Sequence, residues 1–167
     1  MSAVEFFHSL WPHLALDAIA VWFAKYGLAI SVLAFFVGTW RATANLRRPR
    51  FFMLRLLFGA IVAMGITFGS EALLTHPRPF VVLHVAPLIA HVADNAFPSD
   101  HSTTAAFLAA ALFFVSVPEA CVASAAALLI GAARVYCLLH WPSDVIGGWA
   151  IGAASAAGVM LVGTRKM

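Results

Sequence analysis

Charged side chains are scarce in this chain. Asp, Glu, Lys and Arg together make up 10% of its 167 residues, against roughly 25% in an ordinary soluble domain. With 63% of residues hydrophobic and a mean hydropathy of +0.94, the deficit excludes a water-soluble globular domain and points to a bilayer. Cysteine is nearly absent. Cys121 and Cys137 lie about 24 Å apart if one helix carries both, too far for a disulfide. They read as small apolar residues and report no redox compartment. Clustered carboxylates of the kind that hold magnesium are missing. The seven histidines lack regular zinc-ligand spacing, although zinc on several of them stays open; no metal and no other cofactor is expected. Repeats and low-complexity tracts are missing too. The net charge of +3 and pI of about 9.3 imply no nucleic-acid partner, because the charges sit in short clusters between apolar runs. Such clusters orient membrane helices. No signal peptide is expected: Glu5 precedes the apolar stretch, without a basic segment before it or a clean cleavage site after it.

What remains is hydrophobic segments of spanning length. Roughly 20 apolar residues cross a bilayer as a helix, and five stretches qualify, near 26–42, 51–74, 101–116, 119–137 and 144–163. The third is short. The expected fold is an all-α integral membrane helical bundle in one domain covering 1–167, with about five spanning helices. Residues 1–25 form an N-terminal segment interrupted by Pro12, His13 and Asp17. Its stretch 14–24 is too short to span and reads as an interfacial or re-entrant helix. Four arginines lie from Arg41 to Arg50, and the C-terminal tail carries Arg165 and Lys166. Placing both groups in the cytoplasm puts 75–100 and 138–143 on the outer side. In or beside those two segments fall the unusual polar residues: five of the seven histidines, Arg78, Asp94, Asn95, Ser99, Asp100 and Asp144, with Arg134 near the outer end of the fourth span. Charged groups at membrane depth are costly and mark function.

Three groups carry chemistry. In His76-Pro-Arg-Pro-Phe80, prolines on both sides bar a helix and hold Arg78 extended. A fixed guanidinium suits phosphate oxygens, although an arginine between prolines also serves as a loop anchor. In Phe97-Pro-Ser-Asp-His101, Pro98 suits a helix start. The free N–H groups that follow form an anion site with Ser99 as a further donor, and His101 is placed to protonate a leaving oxygen. In Arg134 through Asp144, Asp144 falls in the first turn of the last helix. From there it is expected to accept one N–H of His140 and leave the other nitrogen free to attack phosphorus. Taken singly, a His–Asp pair is also often structural. Together the groups describe a metal-free phosphoryl-transfer site in which fixed cations and N–H groups meet the developing charge.

These residues resemble the signature of the type-2 phosphatidic acid phosphatase family, K-x6-R-P, P-S-G-H and S-R-x5-H-x3-D, whose helical core is shared with vanadium haloperoxidases. The matches are Arg78-Pro79, then Pro98-Ser99-Asp100-His101, then Arg134, His140 and Asp144, over about residues 71–148. The resemblance implies that His140 forms a phospho-histidine, that His101 protonates the leaving group, and that Arg78, Ser99 and Arg134 bind phosphate. Three positions depart: Glu71 replaces the family lysine, Ala133 the serine before Arg134, and Asp100 the glycine before His101. The Pro-Arg-Pro-Phe and Pro-Ser-Asp-His runs look like the bacterial undecaprenyl-diphosphatase branch. That branch implies an isoprenoid lipid diphosphate substrate, the inner membrane of a bacterium, and a site facing the periplasm or exterior. Rival readings are another lipid phosphatase, acting on phosphatidylglycerophosphate or phosphatidic acid, vanadate-dependent halide oxidation, and a small transporter or lipid-binding protein using the histidines as a proton path. Oligomeric state is not legible.

Overall fold

The structure, a computed structural model, describes residues 14–43 and 49–162. Pro12, His13, Arg165 and Lys166 lie outside the described residues, as do residues 44–48 of the arginine-rich link. The elements are α1 (Leu14–Thr43), α2 (Pro49–Leu73), α3 (Pro79–Val82), α4 (Asp100–Leu112), α5 (Val117–Tyr136) and α6 (Pro142–Leu161). Among the described residues the only β-type pairing is an isolated bridge between Pro77 and Asn95.

Among the described residues, four helices are long and apolar enough to cross a membrane: Ala15–Ala42, Arg50–Leu73, Val117–Tyr136 and Pro142–Leu161. The protein is therefore a multi-pass, all-helical membrane protein. Its outward faces carry bare apolar side chains such as Leu33, Phe36, Phe58 and Ile61, as a lipid-facing surface requires. Its interior is built from small residues, with Ala24, Ala63, Ala105, Ala120 and Ala123 all buried. In lipid there is little hydrophobic drive between helices, so close backbone approach supplies the packing.

Two expected boundaries change. The separate helix over 14–24 does not exist, because α1 runs unbroken through Lys25 to Thr43. Nothing between Asp17 and Thr43 stops a helix. The acid that made the stretch look interfacial is satisfied across the bundle, where Tyr136 Oη donates to Asp17 Oδ1 at 2.7 Å. The third expected span, 101–116, is a helix of only 13 residues, about 20 Å long and short of a full crossing. It ends at Leu112, and a turn leads to Ser116 and Pro118 at the start of α5. α4 instead forms the centre of the bundle, packed on α1, α2, α5 and α6. Gly148 and Gly152 allow this: a Cβ on Gly148 would lie 2.6 Å from the Ser99 carbonyl oxygen, and one on Gly152 would meet the Thr103 carbonyl.

The two ends of the bundle differ. At one, Arg41 Nη1 donates to Glu119 Oε1 at 2.8 Å, and the Ser116 hydroxyl donates to the same carboxylate. At the other, the start of α4 meets the start of α6, where Ser99 N–H donates to the Asp144 carbonyl at 3.0 Å.

Candidate active site

The turn after α5 sets the geometry. Leu138 takes φ 62°, a left-handed conformation rare for a branched residue. It folds the chain back so that the N–H groups of Leu139 and His140 both donate to the Arg134 carbonyl, at 3.1 and 3.3 Å. The Phe80 N–H donates to the Leu138 carbonyl at 3.3 Å and fastens the turn to the segment that carries Arg78. His140 is thereby laid over Arg134, with Nε2 3.1 Å from Arg134 Nη2. Cys137 beside it is no nucleophile: burial pushes its thiol up to about 11.

Arg78 arrives from the other side. Its backbone is extended, φ −65° and ψ 150°, as a residue before proline requires. Trp141 Nε1 donates to the Pro77 carbonyl at 3.0 Å and pins the stretch. Arg78 Nη1 donates to the Leu139 carbonyl at 2.9 Å and lies 3.3 Å from His140 Nε2, while Nε donates to Asp94 Oδ1 at 2.5 Å. Arg78 and Arg134 are 6% and 5% exposed. Arg134 Nε is buried and makes no hydrogen bond.

His140 is 2% exposed. Its Nδ1 lies 2.8 Å from the Ala96 carbonyl oxygen. A carbonyl only accepts, so the proton sits on Nδ1 and Nε2 turns its lone pair toward both guanidiniums. Burial, then the charges of Arg134 and Arg78, push the imidazole down to about 3 against the opposing bond to Ala96. The ring is a neutral base at any ordinary pH, facing two fixed cations.

The expected bond from His140 to Asp144 is not formed. Asp144 is fully buried, but its Oδ2 is 3.8 Å from His140 Nδ1, beyond hydrogen-bonding distance. At the third position of α6, Oδ2 turns back to accept the Trp141 N–H at 2.7 Å, and the Ala96 carbonyl takes the Nδ1 proton. Asp144 Oδ1 instead lies 2.8 Å from His76 Nδ1. That contact is out of line for a hydrogen bond, leaving His76 Nδ1 without one.

Ser99 is fully buried and caps α4, its Oγ accepting from Ser102 N–H at 3.4 Å. His101 is partly exposed, with Nδ1 2.9 Å from Asp100 Oδ1. The carboxylate that replaces the family glycine thus engages Nδ1 and leaves Nε2 as the nitrogen it does not touch. Burial works to raise the Asp100 carboxyl, but the hydrogen bond and charge of His101 outweigh it and hold it well below the usual range. Asp100 acts electrostatically on both Arg134 and His140, so the α4 N-terminus lies within range of their charges. Arg78, Arg134 and His140 are thus in direct contact. Ser99 and His101 stand alongside, with no hydrogen bond from either side chain to the trio among the described residues. Sequence reading did not single out the Ala96 carbonyl, Asp94, Asn95 or His76 as parts of this site. Asp94, Asn95 and His76 were visible only as polar residues in an outer segment, and a backbone carbonyl leaves no trace in residue type.

The bundle and the buried Arg–His–Arg cluster at one end define a membrane-embedded phosphatase class. The PAP2 superfamily model matches residues 22–167, and the chain belongs to that superfamily. It is a hydrolase. Undecaprenyl-diphosphatase BcrC of Bacillus subtilis (strain 168) is 29% identical over 133 residues, covering 79% of this chain and 67% of that protein. Two solved structures share the fold at 22% identity. Aquifex aeolicus LpxE has a TM-score of 0.70, covering 89% of this chain and 87% of its own. A transmembrane PAP2-type phosphatidylglycerolphosphate phosphatase from Bacillus subtilis has a TM-score of 0.67, covering 99% and 85%.

Proposed function

We propose that this protein hydrolyses undecaprenyl diphosphate to the monophosphate and phosphate through a phospho-histidine on His140. The observation that carries the reading is the buried, neutral His140, with Nδ1–H given to Ala96 and Nε2 between Arg78 and Arg134. The unpartnered Arg134 Nε–H adds a buried donor with no acceptor but an incoming anion. The prenyl tail lies in the bilayer and the diphosphate enters the outer pocket. Arg78, Arg134, Ser99 and the N–H groups at the start of α4 hold the terminal phosphate. Nε2 attacks its phosphorus; an N–P bond forms, and the bond from phosphorus to the bridging oxygen breaks. His101 gives that oxygen a proton, and the lipid monophosphate leaves. The charge of Asp144, 3.8 Å from Nδ1, stabilises the phosphorylated, cationic ring. Water then gives a proton to His101 and attacks phosphorus, the N–P bond breaks, and phosphate departs.

The arginine-rich link adjoins the end of the bundle marked by Arg41 and Glu119, opposite the site. By the positive-inside rule the site faces the periplasm or exterior of a bacterial plasma membrane. A phosphatidylglycerophosphate substrate is the second reading, favoured by the fold neighbour that carries that activity in its name.

The test is phosphate release by the purified protein in detergent from undecaprenyl diphosphate, phosphatidylglycerophosphate and phosphatidic acid, with and without a chelator. Chelator-insensitive release, fastest from the isoprenoid diphosphate and abolished in His140→Ala, is expected. Full activity in His140→Ala refutes the nucleophile.

A further inference from the structure

Asn95 belongs to none of the three sequence groups and touches no reacting atom, yet its carboxamide is fully engaged. Oδ1 accepts the backbone N–H of His76 at 3.0 Å and of Phe97 at 3.3 Å. Nδ2 donates to the carbonyl of Glu71 at 2.8 Å and to that of Leu74. Two acceptor and two donor positions exhaust an amide. The four bonds join the end of α2, the extended stretch carrying Arg78, and the segment that leads into α4. The Ala96 N–H donates to the His76 carbonyl at 2.8 Å and continues the same bridge.

The neighbours of Asn95 orient the site. Before it, Asp94 takes Arg78 Nε at 2.5 Å. After it, the Ala96 carbonyl takes His140 Nδ1–H at 2.8 Å. The Ala96 carbonyl issues from backbone that the Asn95 side chain holds, through Phe97 N–H on its far side and through His76, Glu71 and Leu74 across the site. We infer that Asn95 is a positioning residue for the reaction proposed above: by fixing the Ala96 carbonyl, it keeps the His140 proton on Nδ1 and the lone pair on Nε2. The carbonyl that selects the tautomer cannot be altered through the Ala96 side chain, so Asn95 is the side chain through which the fold sets it. Only an amide fits. Aspartate has the same shape but would turn an oxygen toward the Glu71 and Leu74 carbonyls, and alanine leaves two donors and two acceptors without partners.

The alternative is that Asn95 only closes the end of α2. The experiment compares wild type with Asn95→Ala and Asn95→Asp in detergent, measuring thermal unfolding, kcat and KM on undecaprenyl diphosphate. The His140 tautomer is read by nitrogen-15 NMR of labelled imidazole, assigned by the signals lost in His140→Gln. In both variants kcat is expected to fall about 10- to 100-fold, the scale seen when outer partners of metal-bound histidines are removed, with KM little changed. Their His140 signals should show a mixture of Nδ1–H and Nε2–H forms. A variant that keeps the pure Nδ1–H form overturns the proposal, whatever its rate. So does a wild type carrying the proton on Nε2, a result that needs no variant to fold. The tautomer is read without turnover; a wild type that releases no phosphate from any lipid defeats the proposed function while the positioning test stands.

Discussion

Acidifying the medium from about pH 7.5 to about pH 5 is expected to destabilise the wild type more than a His140→Gln variant. His140 is 2% exposed. Burial, then Arg134 and Arg78, push it down to about 3, whereas in the unfolded chain it titrates near ~6.5. For a base whose folded pKa is depressed, the native ring stays neutral while the unfolded one gains a proton. Stability is therefore undiminished above about 6.5 and falls as the pH drops toward 3. The slope approaches ~1.4 kcal/mol per pH unit, so the loss down to pH 5 is about 2 kcal/mol. Asp94 and Asp100 are also held below the usual carboxylate range. Their contribution is present above the unfolded value near ~3.9 and is lost only as the pH falls further, so they stay ionised over this interval in both proteins. Unfolding in mixed micelles at the two pH values gives the comparison. A parallel decline in wild type and variant would mean that the imidazole is not held neutral, and the account of the nucleophile would fail with it.

Other predictions rest on separate contacts. Arg134→Gln removes a guanidinium 3.1 Å from His140 Nε2 and should cut phosphate release about 100- to 1,000-fold, the loss seen for one preorganised donor, with circular dichroism unchanged. Glu71 lies in the field of Arg78, Asp94 and Asp100. Glu71→Lys should lower KM about two- to fivefold, the scale of a partly solvated ion pair, as read from initial rates. Gly152→Ala drives a Cβ into the Thr103 carbonyl. A backbone atom cannot swing aside as a side chain can, so about 1–3 kcal/mol of stability should be lost, visible as a lower Tm in detergent.

Most of the helical layout was legible because hydropathy reports the cost of a residue in lipid, and four segments meet that cost by length alone. It failed at Asp17 and at α4. The partner of Asp17 is Tyr136, on another helix, and no local window contains it. Residues 113–116 are as apolar as the helix before them, yet the chain turns there, so composition overran the true end of α4. At the site, the spacing of Arg134 and His140 was legible because a fixed local turn, closed by Leu138, converts it into contact. The place of Asp144 was not. Its position relative to His140 allowed a bond, but the carboxylate had two closer claims, the Trp141 N–H and His76. The Ala96 carbonyl, 44 residues from His140, supplied what the carboxylate was expected to give.

Replacing a carboxylate with a carbonyl at Nδ1 changes the electrostatics of the cluster. A carboxylate in contact would raise the basicity of His140 and work against the two arginines; a neutral acceptor fixes the tautomer while opposing their fields less, and their charges outweigh the opposing bond to Ala96 and the charge of Asp100. The same fields that drive a proton off that nitrogen draw an anion toward it, so the features that keep the base unprotonated also gather its target. The arginines stand 3.1 and 3.3 Å from Nε2, close enough that an entering phosphate must part them from the ring. Arg78 cannot travel far, since it is held by Asp94 and the Leu139 carbonyl. Arg134 lacks such a tether at its Nε, so in the reaction proposed above it is the guanidinium expected to follow the phosphoryl group.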